Sequence, residues 1–481
     1  MAMTQARTGA RTPWWHEYGA LCLAAVLALP LFTPRVYASD EVKYFVTLRS
    51  LYFDHDLHYA NDYSYFVSRD PVAHAGLRPY AEEATPTGYR LNDAPIGSAV
   101  LWLPFYVAAD VGVLVARAVG ADVARDGFSR PYTRAVCVGS LVWGTVGLLL
   151  IYRLCRRYVA RTPATWAVLA VWFASPVVFY LYITPAMAHA NSLFSVALFL
   201  TIWHRGRGAR STGGWALLGA AAGLMVLVRE LNWLFLLVIA VDETRAIVTN
   251  ALAAMSKGMP RSVVAIATNL GVEVGRRLTG YAAFAVALAV VVAPQFYVYK
   301  TLNGTFAATP FVVQKFSRVP RYAIDVLFSG FHGLFSWHPV TLAGVIGLAA
   351  LWRRDPLVAG ALALVFVIQV LLIGSYATWW GGASFGARRF INCTAIFALG
   401  LAAALDRMRP RTLRLAGAGL VFLVLWNAGL AVQYSVGLIP RDTPVTMSRI
   451  VRNQLFEVPP RAMSIAWRFA FDRSSFYRTR Q

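Results

Sequence analysis

The chain has little charge. Of its 481 residues 14% are Asp, Glu, Lys or Arg and 58% are hydrophobic, whereas a soluble domain devotes about a quarter of its residues to charge. That shortage excludes an ordinary water-soluble enzyme. Acidic residues are the scarcer sign, 23 against 45 basic ones, for a formal net charge of +22. In a soluble chain this excess would point to nucleic acid. Here no run of basic and aromatic residues lies outside the apolar stretches, so nucleic acid is not an expected partner, and arginine-rich connectors read as a topology signal. Cysteine is also sparse: Cys22, Cys137, Cys155 and Cys393 sit in or beside apolar runs with no Cys-x-x-Cys spacing. They read as small core residues, which leaves no disulfide framework or zinc site. No internal repeat is visible, a mild argument against an inverted-repeat transporter.

What is present is a series of apolar runs of about 20 residues, enough to cross a bilayer. They predict an all-α polytopic membrane protein with about 11 transmembrane helices, 9 to 13 at the outside, at 17–37, 95–118, 133–154, 164–182, 188–204, 214–239, 279–299, 334–352, 357–376, 390–406 and 413–436. Residues 1–37 read as a cytoplasmic tip and an uncleaved first span, with Arg7 and Arg11 inside. Residues 38–94 form a first extracytoplasmic loop, which holds nine acids against five Lys and Arg. Spans fill 95–300 around a cytoplasmic connector at 242–278. A second outer loop at 301–333, further spans at 334–436 and a basic tail at 437–481 complete the chain. The site is expected at the plasma (inner) membrane, facing the periplasm or exterior. One conflict is built into this count: Arg153–Arg157 and His204–Arg207 fall outside, against the positive-inside tendency.

Four stretches carry candidate chemistry. In Tyr37-Ala-Ser-Asp-Glu-Val-Lys-Tyr-Phe-Val-Thr-Leu-Arg-Ser-Leu51 the apolar residues Val42, Phe45, Leu48 and Tyr52 share one helical face. They predict a short amphipathic helix on the membrane surface, with Asp40 and Glu41 in its first turn. Those acids suit the helix dipole and read equally as a helix start after Ser39. In Thr378-Trp-Trp-Gly-Gly-Ala-Ser-Phe-Gly-Ala-Arg-Arg389, tryptophans fit the interface and glycines let the backbone approach a ligand. Arg388 and Arg389 are suited to a phosphate, and the same residues fit an aromatic belt with snorkelling arginines. Leu91-Asn-Asp-Ala-Pro-Ile-Gly97, with Asp93 and the preceding Arg90, opens the second run. Arg229-Glu230 interrupts an apolar stretch, where charge is costly. Weaker candidates are His332, beside a phosphate or an interface, and Asp54 and Asp56, as ligands of a divalent metal; a turn explains the latter pair as well.

Taken together, "SDEVKYFVTLRSL", "NDAPIGSAVLWLPF" and "WWGGASFGARRF" resemble the GT-C superfamily of integral-membrane glycosyltransferases, in its family 39-like branch of protein-O-mannosyltransferase and aminoarabinose-transferase type. The resemblance covers most of the chain in layout, through short motifs. It implies a sugar moved from a polyprenyl-phosphate-linked donor to an acceptor hydroxyl on a glycan, lipid or protein, with inversion; no cofactor is indicated, and a divalent metal stays open. It further implies Asp40 as catalytic base with Glu41 as alternate. Arg388, Arg389, Arg90 and Lys43 fall to the donor phosphate, and Trp379, Trp380, His332 and Asp93 to the substrates. Relatives of the aminoarabinose type carry a lysine ahead of the second span's proline; Asn92-Asp93-Ala94 stands there, so the phosphate contact passes to the arginines. A lipid-linked-sugar flippase is the alternative, with Arg229-Glu230 as its one mid-membrane feature.

Overall fold

A computed structural model describes residues 14–72, 74–255, 263–309, 315–473 and 475. Arg7 and Arg11, residues 256–262 of the basic connector and 310–314 of the second loop lie outside the described residues. Among the described residues there are helices and no strands. In chain order they are α1 (Trp14–Leu27), α2 (Ser39–Arg49), α3 (Ala60–Arg69), α4 (Arg78–Glu82), α5 (Gly97–Ala118), α6 (Arg130–Cys155), α7 (Arg161–Phe173), α8 (His189–Arg205), α9 (Thr212–Val228) and α10 (Leu236–Met255). The second half holds α11 (Val263–Gly275), α12 (Leu278–Asn303), α13 (Ala323–Phe328), α14 (Leu334–Trp337), α15 (Pro339–Trp352), α16 (Pro356–Gly374), α17 (Thr394–Leu405), α18 (Pro410–Ser435), α19 (Met447–Arg452) and α20 (Val458–Phe471). By length and composition α5, α6, α12, α16, α18 and the segment Arg388–Leu405 are each able to cross a membrane. The expected all-helical membrane architecture is present.

Polar contacts sort the helix ends into two sets. At one end Arg156 pairs with Glu17 at 2.7 Å, Arg207 with Asp242 at 3.6 Å, and Arg277 with Glu243 at 3.4 Å. Arg354 bonds Asp406, and Asp406 accepts from Ala160 N at 3.1 Å. At the other end Thr33 N bonds Tyr182 O at 2.7 Å, Ile96 N bonds Gln295 at 2.9 Å, and the Thr87 hydroxyl donates to Leu302 O at 2.6 Å. Both outer loops and the tail meet at the second end, where Arg473 donates to Phe32 O at 2.8 Å.

Two expected elements change here. The run at 95–118 is helical, as α5, but it does not lead to the arginine-rich end. Tyr106 and Asp110 lie against Tyr132, at the start of α6, and Arg125 closes on Asp110 at 2.8 Å. The chain therefore leaves and rejoins the same end. The return crossing is supplied instead by a 3-10 turn, Glu230–Phe235, running into α10; Asn232 contacts Ser192 at one end and Asp242 contacts Trp203 at the other. Arg153–Arg157 and His204–Arg207 stand at the same end as Arg277 and Arg354. Hydropathy measures removal from water, so it does not separate α5, folded over α2 and α6, from a span.

Helix α2 is the second change. Glu41, Val42, Lys43, Phe45, Val46, Thr47 and Leu48 are all buried. It is enclosed by α5, α3 and α4 rather than laid on a surface by one face.

Glycines set the closest helix contacts. A side chain on Gly344, Gly347 or Gly400 would strike the backbone of the facing helix in the α15–α17 pair. Small residues allow this approach, which is how membrane helices gain dispersion contacts without a hydrophobic driving force between them. Gly347→Leu is expected to cost at least about 1–3 kcal/mol through overpacking, read as a lowered thermal midpoint in detergent. Gly419→Leu, at an exposed glycine with nothing near its missing Cβ, should leave the midpoint unchanged. Equal behaviour of the two variants would refute the packing argument.

Candidate active site

The segment after α1 is turned into α2 by Glu41. Its carboxylate reaches back to accept the Tyr37 and Ala38 amides, each at 2.9 Å, two donors that the helix itself cannot satisfy. Glu41 is 1% exposed, and burial pushes its pKa up. It holds the backbone that presents Asp40.

Asp40 sits at the centre of a line of alternating charges. One oxygen is 3.1 Å from Lys43 Nζ and the other 2.8 Å from Arg388 Nη2. Lys43 continues to Asp93 at 2.7 Å and to the Tyr80 hydroxyl at 3.2 Å. Arg388 also donates to Gly381 O at 2.7 Å. Burial alone would raise the pKa of Asp40, but the charges of Lys43 and Arg388 outweigh it and hold the carboxyl far below the usual carboxylate range. Asp40 and Asp93, against burial, keep Lys43 charged. The Asp40 side chain is still 35% exposed, so the line opens at its middle.

The late loop is shaped for this contact. Gly381, Gly382 and Gly386 have φ of 87°, 72° and 59°, a left-handed region that favours glycine. After them Arg388–Cys393 forms a 3-10 turn anchored by buried amides. Asn392 exchanges hydrogen bonds with Gln369 at 2.8 and 3.0 Å and donates to Asn232 at 3.2 Å. Gln369 also donates to Arg389 O at 2.9 Å. Fully paired polar groups in a low-dielectric interior specify one geometry, and this one fixes both arginines.

Of the residues singled out in the sequence, Asp40, Lys43, Asp93 and Arg388 meet in one cluster. Arg389 lies over the Tyr376 ring, 4.3 Å from its centroid, and lines a small recess with Arg388, Trp379, Trp380 and His332. Arg90 stands apart, donating to Glu82 O at 2.7 Å. Arg229 and Glu230 do not pair with each other: Arg229 bonds His189 at 3.1 Å, and Glu230 accepts from Tyr299. Burial lowers the pKa of Lys315, against the charges of Asp93 and Asp40. Lys315 carried no sequence signal, because a single lysine in a polar loop has no pattern.

Asp54 and Asp56 also have partners. Arg49 bonds Asp54 and lies 3.4 Å from the buried Asp62, while Asp56 accepts from the Ser50 hydroxyl at 2.7 Å and from His58 N at 2.9 Å. The Arg49 guanidinium stands between Asp54 and Asp62, while Asp56 is held by Ser50 and the His58 amide. Among the described residues no group of three or more His, Cys, Asp or Glu is arranged to hold a metal.

The whole chain resembles ArnT of Cupriavidus metallidurans in fold. The crystal structure of that protein bound to undecaprenyl phosphate aligns with a TM-score of 0.50 and 14% identity, covering 96% of this chain and 77% of that one. Its apo structure gives 0.48 and 13%, covering 94% and 75%. Residues 129–270 match the model of the dolichyl-phosphate-mannose-protein mannosyltransferase family. No curated protein matches the chain. The chain thus shares the fold of the ArnT protein, as the resemblance read from its motifs implies.

The Arg49 cluster yields a prediction. Burial, with Asp54 and Asp56 adding to it against Arg49, pushes Asp62 up to about 7, above the ~3.9 of an unfolded chain. The folded state then binds the extra proton between these values, so this contribution to stability is present at low pH and lost as pH rises through about 7. Thermal unfolding followed across this range should show Asp62→Asn removing part of the wild-type decline. An unchanged slope would refute the assignment.

Proposed function

We propose that the chain is a membrane glycosyltransferase that moves a sugar from a polyprenyl-phosphate-linked donor to an acceptor hydroxyl on the extracytoplasmic side. The observation that carries this reading is the junction of Asp40 with Arg388, in a line completed by Lys43 and Asp93 and beside the recess that Arg388 lines with Arg389. An excess of fixed cations around a partly open carboxylate suits an anionic group held beside a base. The fold shared with a protein crystallised with undecaprenyl phosphate, and the mannosyltransferase match, support the same donor chemistry. The collection of Arg153, Arg156, Arg205, Arg207, Arg354 and Arg409 at the opposite end supports the side, by the positive-inside tendency. In this reading the first loop, 38–94, carries the base, and the second, 301–333, helps cover the recess.

In the reaction the acceptor oxygen attacks the anomeric carbon and its proton passes to Asp40. The bond from that carbon to the phosphate oxygen breaks, and its electron pair leaves with the lipid phosphate. Attack from the face opposite the phosphate inverts the sugar. Arg388 and Arg389 neutralise charge growing on the departing phosphate, where preorganised donors are most effective. Lys43, pinned by Asp93 and Tyr80, keeps Asp40 ionised and aimed. Since Asp40 is a weak base while both cations hold it, donor phosphate drawing on Arg388 and Lys43 strengthens it at the moment a sugar is present.

Purified protein supplied with labelled lipid-linked sugar should release free lipid phosphate along with labelled product. Asp40→Asn should lower turnover by about 10²–10⁴, the usual contribution of a general base, with folding intact. Arg388→Gln should reduce it by about 10²–10³. Full activity in Asp40→Asn and in Glu41→Gln would overturn the base assignment, and movement of intact lipid without product would mark a flippase.

A further inference from the structure

The segment that presents Asp40 has a second side. Residues 34–36 form the wall of a cavity of about 290 Å³, separate from the charge line. Four arginines line it, Arg35, Arg69, Arg130 and Arg134, and no carboxylate does. Arg69, Arg130 and Arg134 make no ion pair among the described residues. Arg69 lies flat over Tyr65, 3.6 Å from the ring centroid, and Tyr65 stacks on Phe128 at 3.9 Å.

Two further features bear on an anion here. Arg130 and Arg134, both exposed, occupy the first turns of α6, where the helix dipole favours negative charge. His74, also in the wall, is 6% exposed and its Nδ1 has no hydrogen-bond partner among the described residues; a buried polar atom left unpaired in this way is unfavourable. The cavity and the Asp40 turn are mechanically joined. Tyr37, whose amide holds Glu41, lies under the Arg35 guanidinium at 4.4 Å and beside His74 at 5.8 Å between ring centroids.

We propose that this cavity binds a phosphate-type anionic group carried by the acceptor, anchoring it while a nearby hydroxyl reaches Asp40. The inference deepens the transferase reading and rests on it. Planar guanidinium groups match the oxygens of such an anion, the volume admits a phosphate with part of its carrier, and Tyr65 and Phe128 offer flat apolar surface to the remainder. An anchor here, on the opposite side of the 34–40 segment from Arg388, keeps the acceptor's charge away from the cations that serve the donor.

The test uses full-length protein in nanodiscs of phosphatidylcholine, with inorganic phosphate as probe followed by ³¹P line broadening. Arg130→Gln/Arg134→Gln should weaken phosphate binding by about tenfold or more and leave polyprenyl phosphate affinity unchanged. Arg388→Gln should do the reverse. Thr133→Trp, which fills the cavity without removing charge, should also abolish the phosphate signal. Competition by added phosphatidylglycerol would assign the site to a lipid-borne anion, and its absence to a soluble or glycan-borne one. Phosphate affinity unchanged in both cavity variants would overturn the proposal. If Arg388→Gln alone leaves polyprenyl phosphate binding intact, the donor reading fails while the cavity result stands.

Discussion

The ion pair between Asp40 and Arg388 joins the first loop to the last third of the chain. Each charge offsets part of the other's cost of leaving water. Removing an ion from water costs several kcal/mol, and mutual attraction offsets this only when geometry is good and the remaining hydrogen-bond positions are filled. Here they are filled: Arg388 also reaches Gly381 O, and Lys43 holds the second oxygen of Asp40 while Asp93 and Tyr80 hold Lys43. The result is a line that is closed at its ends and open at its middle. Its surroundings carry more positive than negative charge, an arrangement left incomplete until an anion enters.

Much of the remaining structure serves to keep this line in register. The 3-10 turn that bears Arg388 is tied through its own Asn392 to Gln369 of α16 and to Asn232 of the 230–235 turn. The turn that bears Asp40 is tied by Glu41 to the backbone leaving α1. Contacts made through glycine backbones, as between α15 and α17, give those helices a spacing that side chains alone would not fix. Rigid support of this kind is what allows charges to be aimed before substrate arrives.

The sequence disclosed the chemistry better than the path. Side-by-side acids at the end of an apolar run, and tryptophans, glycines and arginines in close succession, are compositional anomalies in a chain with so few charges, and both stretches lie at the cluster. Asp93 stood out for a similar reason. Glu41 resembled Asp40 by pattern alone; only the backbone amides facing it reveal a capping role. Arg229 and Glu230 looked like a pair because they are adjacent, yet the break between α9 and the 3-10 turn sends them in different directions. The path was harder. An apolar helix folded against other helices and one crossing a bilayer have the same hydropathy, so α5 read as a span, while α10, which carries Asp242 and Glu243 at its arginine-rich end, did not. Arg153–Arg157, placed unfavourably by that count, stands in the structure at the same end as Arg207 and Arg354.

The dependence of lipid binding on Asp40 separates this account from one in which the charges merely hold the loops together. Affinity for polyprenyl phosphate can be compared between wild type and Asp40→Asn in identical nanodiscs, without any sugar present. If phosphate takes over the cations that Asp40 now occupies, removing that carboxylate's charge should tighten binding by about tenfold, or ~1.4 kcal/mol. Binding that is weakened or unchanged in Asp40→Asn would contradict the claim that base and donor phosphate share one set of cations.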